Sequence, residues 1–270
     1  MATVALVAVL AGGCASRQAF PDDGKRNVVA AFYPLAEAAR RVGGDAVRVV
    51  DLTPPNVEPH DLEPTSKQVD RIEAADVVVE MGNSFQPAVS RAAERAEGRA
   101  VRIEFPANDP HIWLDPVRMQ GIVDQVAAAL KDVPGSVERA AAFKQELAAL
   151  DVQFRAGLAE CERTTLVTAH EAFGWLAKRY GLTQEAIAGF SPDAEPDPRK
   201  LAELADLVKR TGTTTVFTES LVSPKVAEAL ARETGARTDV LDPMESGAPG
   251  AYVAVMQANL QRIRAALSCR

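Results

Sequence analysis

Histidine is scarce in this chain: only His60, His111 and His170 occur among 270 residues. Cysteine is equally rare, and Cys14, Cys161 and Cys269 stand too far apart to form the paired ligands of a zinc ribbon. Positive charge is in deficit, with 30 Lys and Arg against 37 Asp and Glu and a net charge of −7. No basic stripe is available to meet phosphates, so nucleic acid is excluded as a partner. No apolar run of membrane-spanning length occurs beyond the first residues. Three catalytic signatures are also missing. There is no His-Glu-x-x-His helix of a zincin protease, no Gly-x-Ser-x-Gly nucleophile elbow, and no Gly-rich phosphate loop after a strand.

What is present is an ordinary globular composition, 47% hydrophobic and 25% charged, on a chain long enough for one large or two medium domains. Residues 1–10 are almost wholly apolar and lead into Ala11-Gly12-Gly13-Cys14. Small residues before a cysteine at the end of a short apolar segment look like a bacterial lipoprotein signal. We therefore expect residues 1–14 to be a signal peptide ending in a lipidated Cys14, followed by a linker over 15–26. The pattern departs from the usual one in two ways: no Lys or Arg precedes the apolar run, and Leu10 sits one place further from the cysteine. Export makes a disulfide the favoured state of Cys161 and Cys269, the alternative being two independent buried thiols.

From residue 27 onward, strand and helix signals alternate. Strand-like runs fall at 27–32, 46–52, 76–81 and 100–105, and again at 164–169, 185–188, 214–219 and 237–241. Helical stretches separate them, several with readable starts. Thr65 with Gln68 forms a capping-box pattern, and Asp115-Pro116, Asp197-Pro198 and Ser223-Pro224 place a cap before or at the first turn. This alternation predicts an α/β fold with parallel sheets. Between the two sets, Phe143, Leu147, Leu150, Phe154, Leu158 and Cys161 recur at spacings of three and four. They predict one long amphipathic helix over 136–161, about 40 Å long. The expected organisation is an N-terminal lobe over 27–135, a spine helix over 136–162, and a C-terminal lobe over 163–270.

On that map the three histidines converge. His60 lies in the loop after the second strand and His111 follows the fourth, between Pro110 and Pro116. His170 ends the fifth strand, and Asp242 ends the last. Ligands of open α/β sheets bind outside the carboxyl ends of the strands. Three imidazoles and a carboxylate at that edge suit a divalent transition ion. Any one of these histidines alone reads better as a structural or surface residue, and the joint placement is what favours a metal. Trp113 and Trp175 lie just beyond candidate ligands and read as packing beneath the site.

Four blocks then carry a resemblance: Pro59-His60-Asp61-Leu62-Glu63-Pro64-Thr65, Asp109 through Pro116, His170-Glu171-Ala172-Phe173-Gly174 and Ser191-Pro192-Asp193-Ala194-Glu195-Pro196. Together they resemble the zinc/manganese substrate-binding proteins of bacterial ABC importers, over essentially all of residues 27–270. The resemblance implies two α/β lobes bridged by a rigid helix, with the ion between them on His60, His111, His170 and Asp242. Glu58 and Glu219 are implied as lesser candidates for supporting or alternative ligands. Manganese-preferring members carry glutamate at the third position. His170 there implies zinc, with manganese or iron as the alternative cargo. It further implies an ABC permease with its ATPase subunit as partners, a monomer held outside the cell membrane or in the periplasm by its lipid, and no enzymatic activity. The histidine-rich loop of many zinc members is absent before His111. Readings of another class are a metal-dependent hydrolase and a surface adhesin on the same fold.

Overall fold

Runs of valine become strands here because both of their faces are covered. Val28, Val29, Val78 and Val79 are fully buried, as expected for strands of a parallel sheet with helices on each side. The computed structural model describes residues 19–60, 62–82, 85–106, 109–192, 197–245, 247 and 251–270. The expected signal segment and Cys14 therefore lie outside the described residues, as do Asp61 and residues 193–196.

The first lobe runs β1 (Arg26–Ala30), α1 (Tyr33–Gly43), β2 (Val47–Asp51), α2 (Ser66–Glu73), β3 (Val77–Met81), α3 (Pro87–Ala93), β4 (Arg99–Ile103) and α4 (Pro116–Ala129). Its four strands are parallel in the order β2-β1-β3-β4. Helix α5 (Ser136–Gly157) leads to the second lobe. There β5 (Thr165–Thr168), α6 (Gly174–Arg179), β6 (Thr183–Ala186), α7 (Pro198–Thr211), β7 (Thr215–Thr218), α8 (Lys225–Thr234), β8 (Arg237–Val240) and α9 (Tyr252–Leu267) follow. The second sheet is also parallel, ordered β6-β5-β7-β8, the same winding as the first. Among the described residues, no helix is long and apolar enough to cross a membrane.

Helix α5 packs on α1 and α4 of the first lobe and on α9 of the second. Its Phe143, Leu147, Leu150 and Phe154 are buried in one core continuous with Met256, Leu260 and Ile263 of α9. The helix stops at Gly157, short of Cys161. Gly157 permits that contact with α9, since a Cβ there would stand 3.1 Å from the Arg264 side chain and 3.3 Å from that of Leu260. A smaller apolar cluster, including Val167, Leu204, Val208 and Val216, fills the far side of the second sheet. Just beyond the ends of α5 and α9, Cys161 and Cys269 are joined by a disulfide.

Three of the sequence-read helix starts form as expected. Thr65 and Gln68 make a reciprocal capping box, Asp115 accepts from the amides of Val117 and Arg118, and Asp197 accepts from Arg199. Ser223 does not cap: α8 begins at Lys225 after Pro224, with no side-chain cap. The sixth strand pairs over Thr183–Ala186, slightly earlier than its apolar run suggests, with Thr183 opposite Thr165 and Ala186 opposite Thr168 of β5.

Candidate metal centre

The carboxyl ends of both sheets face a common crevice, and three loops and one strand end deliver imidazoles or carboxylates into it. His60 comes from the loop after β2, His111 from the segment after β4, and His170 from just beyond β5. His60, His111, His170 and Glu245 each offer one donor atom, and these atoms lie within 4.8 Å of one another. His111 and His170 are fully buried, as is Glu245 at 1% exposure.

The separations are specific. Glu245 Oε1 stands 3.1 Å from His60 Nε2, 3.3 Å from His111 Nε2 and 3.4 Å from His170 Nε2. The Nε2 atoms of His111 and His170 are 3.3 Å apart. A tetrahedral zinc site with bonds of about 2.0 Å has donor-to-donor edges of about 3.3 Å. Four of the six donor separations thus already match the edges of such a tetrahedron, and all six lie within 4.8 Å.

Behind them, carboxylates set the imidazole orientation. Asp109 Oδ1 lies 2.9 Å from His111 Nδ1 and also accepts from the His111 amide at 3.0 Å. Glu219 Oε2 lies 2.6 Å from His170 Nδ1, while its Oε1 accepts from the His170 amide at 3.2 Å. A proton held on Nδ1 by these carboxylates leaves Nε2 as the lone-pair donor into the crevice. Glu58 accepts from the His60 amide at 3.2 Å and its carboxylate stays 3.9 Å from Nε2. Glu58 and Glu219, both singled out from the sequence, therefore contact the clustered histidines without belonging to the four.

Asp242 is a correction. Its carboxylate accepts from the Met244 amide at 2.7 Å, and its backbone is clasped by the Asn259 side chain at both N–H and C=O. Asp242 shapes the loop, and Glu245, three residues on, supplies the carboxylate. The turn between them uses Met244 at φ +57°, a left-handed conformation uncommon outside glycine. Ending β8 marked the right loop, but only this turn decides which acid points inward. The sequence contains no local signal for it beyond the acid's presence.

The electrostatics fit a site built for a cation. Burial lowers the pKa of His60, outweighing its contact with Glu245. For His111 burial also opposes the charge, but Asp109 and Glu245 prevail and raise it. Burial likewise opposes His170, yet Glu219 and Glu245 push it up to about 10. Burial alone would raise Glu245, but the three imidazoles hold its carboxyl well below the usual range. Without a metal, positive charge in this crevice has to be supplied by protons on the imidazoles.

A buried cluster of three imidazoles and a carboxylate shared between two parallel α/β lobes is the arrangement of a two-lobed ion-binding protein. Residues 28–266 match the family model described as the zinc-uptake complex component A, periplasmic, and the chain belongs to that family. Over 279 residues it is 34% identical to the zinc-binding lipoprotein AdcA of Streptococcus pneumoniae, covering 90% of this chain and 56% of that protein. The chain thus spans about half the length of that relative. It is 32% identical to the high-affinity zinc uptake system protein ZnuA of Bacillus subtilis, covering 90% of this chain and 88% of that one. The Zn(II)-bound ZnuA-like domain of S. pneumoniae AdcA superposes with a TM-score of 0.76 at 34% identity, over 90% of this chain and 99% of that domain.

Proposed function

We propose that this chain is an extracytoplasmic receptor that captures Zn2+ in the interlobe crevice and delivers it to an ABC permease and its ATPase subunit. The observation that carries the reading is the preformed, buried cluster of donors from His60, His111, His170 and Glu245, with four of its six separations at 3.1–3.4 Å. Membership of the zinc-uptake family supports it.

Zinc is the cargo this donor set suits. Three imidazole nitrogens and one carboxylate oxygen at tetrahedral spacing match a borderline ion without geometric preference. Manganese favours more oxygen donors in an octahedron. Four protein donors close the coordination sphere, leaving no open position where a hydrolase would activate water. The protein binds and releases; it is not an enzyme. His60 and His111 belong to the first lobe, and His170 and Glu245 to the second. Release therefore needs only a small loss of register between lobes or in one loop. Attachment through a lipid on Cys14, and action as a monomer, belong to the same proposal.

Competition between zinc and manganese for the metal-free protein tests the cargo. One zinc per chain, retained against a large excess of manganese, is expected. Tighter binding of manganese would overturn the assignment.

Zinc takes neutral imidazole, so it must displace the protons that the metal-free crevice holds. Because the His170 pKa is raised to about 10, that site stays protonated through neutral pH and is freed only as pH rises. Apparent zinc affinity should therefore increase from pH 6 to pH 9, by about tenfold per unit where one proton is displaced. Chelator competition at several pH values measures this, and a flat profile would contradict it.

A further inference from the structure

Both tryptophans of the chain sit on the lobe interface, and each donates its indole N–H to the opposite lobe. Trp113 Nε1, in the short 3-10 turn Ile112–Leu114 of the first lobe, donates to Pro243 O of the second at 2.8 Å. Trp175 Nε1, in α6 of the second lobe, donates to Asp109 O of the first at 3.1 Å. The pairs are reciprocal, buried, and far apart in sequence.

The acceptors are what make this more than packing. Pro243 O immediately precedes the left-handed Met244, after which the chain delivers Glu245. Asp109 carries the carboxylate that holds His111 Nδ1. Each indole therefore reaches across the crevice and fixes the backbone that aims one metal donor or its support. Neighbouring contacts seat both rings. The Arg118 guanidinium lies 3.7 Å from the centre of the Trp175 ring, and Arg179 of α6 pairs with Asp115 at 2.5 Å. Gly174 allows α6 to close up on Asp109, since a Cβ there would stand 3.0 Å from Oδ2. On the other side the Tyr252 hydroxyl of α9 donates to Trp113 O.

We propose that Trp113 and Trp175 are positioning residues, two reciprocal N–H latches that hold the lobes in the register at which the four donors form a tetrahedron. Both lobes contribute two donors, so a shift of a fraction of an ångström between them changes four donor separations at once. The latches act on coordination geometry and zinc residence time, through Glu245 and His111, without touching the ion. This inference rests on the metal-site reading above.

The test compares wild type with Trp113→Phe and Trp175→Phe, which keep an aromatic ring and delete the N–H. Variants carrying benzothienylalanine at the same positions keep the bicyclic shape and lack only the donor. Three quantities are read: zinc dissociation rate, the cobalt(II) d–d spectrum, and the melting temperature of the metal-free protein. Loss of either N–H is expected to speed zinc dissociation by about tenfold, the effect of removing a supporting contact around a metal. It is also expected to weaken the intense four-coordinate cobalt bands. Dissociation rates and cobalt spectra within twofold of wild type would overturn the latches, whatever happens to the melting temperature. Failure of wild type itself to bind zinc or cobalt would instead count against the receptor reading, so the two failures are distinguishable.

Discussion

Truncating His111 to Ala is expected to weaken zinc binding by roughly a hundredfold to a thousandfold. The free energy of a four-donor zinc site is on the order of 10–16 kcal/mol, so one donor accounts for about 3 kcal/mol or somewhat more. His111 lies at the centre of the cluster. It is fully buried, within 3.3 Å of both Glu245 and His170, and held by Asp109 from behind. Its loss removes a donor and leaves the buried Asp109 carboxylate without its imidazole partner. Asp242→Ala provides the contrast. It releases the Met244 amide and so disturbs the Glu245 loop, but removes no donor, and a smaller loss of affinity is expected. Competition titration against a chelator of known affinity measures both. Retention of wild-type affinity by His111→Ala would show that the ion binds elsewhere.

Breaking the Cys161–Cys269 disulfide is expected to cost stability while sparing the site. The bond joins residues 108 apart. In the chain-entropy model a loop of that length is worth about 5 kcal/mol, equivalent to a fall in melting temperature on the order of 10–20 °C for a chain of this size. Cys161 precedes the amino end of β5, whereas His170 follows its carboxyl end, so the two features lie at opposite ends of the sheet. Thermal unfolding with and without reductant, on protein carrying Cys161→Ser and Cys269→Ser as well as wild type, measures the first effect. Zinc titration of the same samples measures the second. An unchanged melting temperature would mean that the clasp of Arg270 N on Glu160 O and Arg163 N on Leu267 O already secures these ends unaided.

The architecture was readable because local signals agreed with the global fold. Valine runs marked β1 and β3, and Thr65, Asp115 and Asp197 marked three helix starts that form as read. The convergence of the three histidines was readable because so few exist and each follows a strand. What escaped was set by tertiary geometry. Asp242 reads as a ligand because it follows the last strand, but its carboxylate satisfies a backbone amide two residues on and Glu245 turns inward instead. Gly157 ends α5 where α9 crowds it, a contact between helices far apart in the chain. The two tryptophans were legible as buried residues, while the direction of their N–H groups depended on how the lobes meet.

Zinc K-edge X-ray absorption of the metal-loaded protein tests the central claim most directly. The donor tetrahedron is expected to give three imidazole nitrogens and one carboxylate oxygen at about 2.0 Å, a pattern lost in Glu245→Gln and kept in Asp242→Asn. A first shell that survives Glu245→Gln unchanged, or one with fewer than three imidazoles, would contradict it.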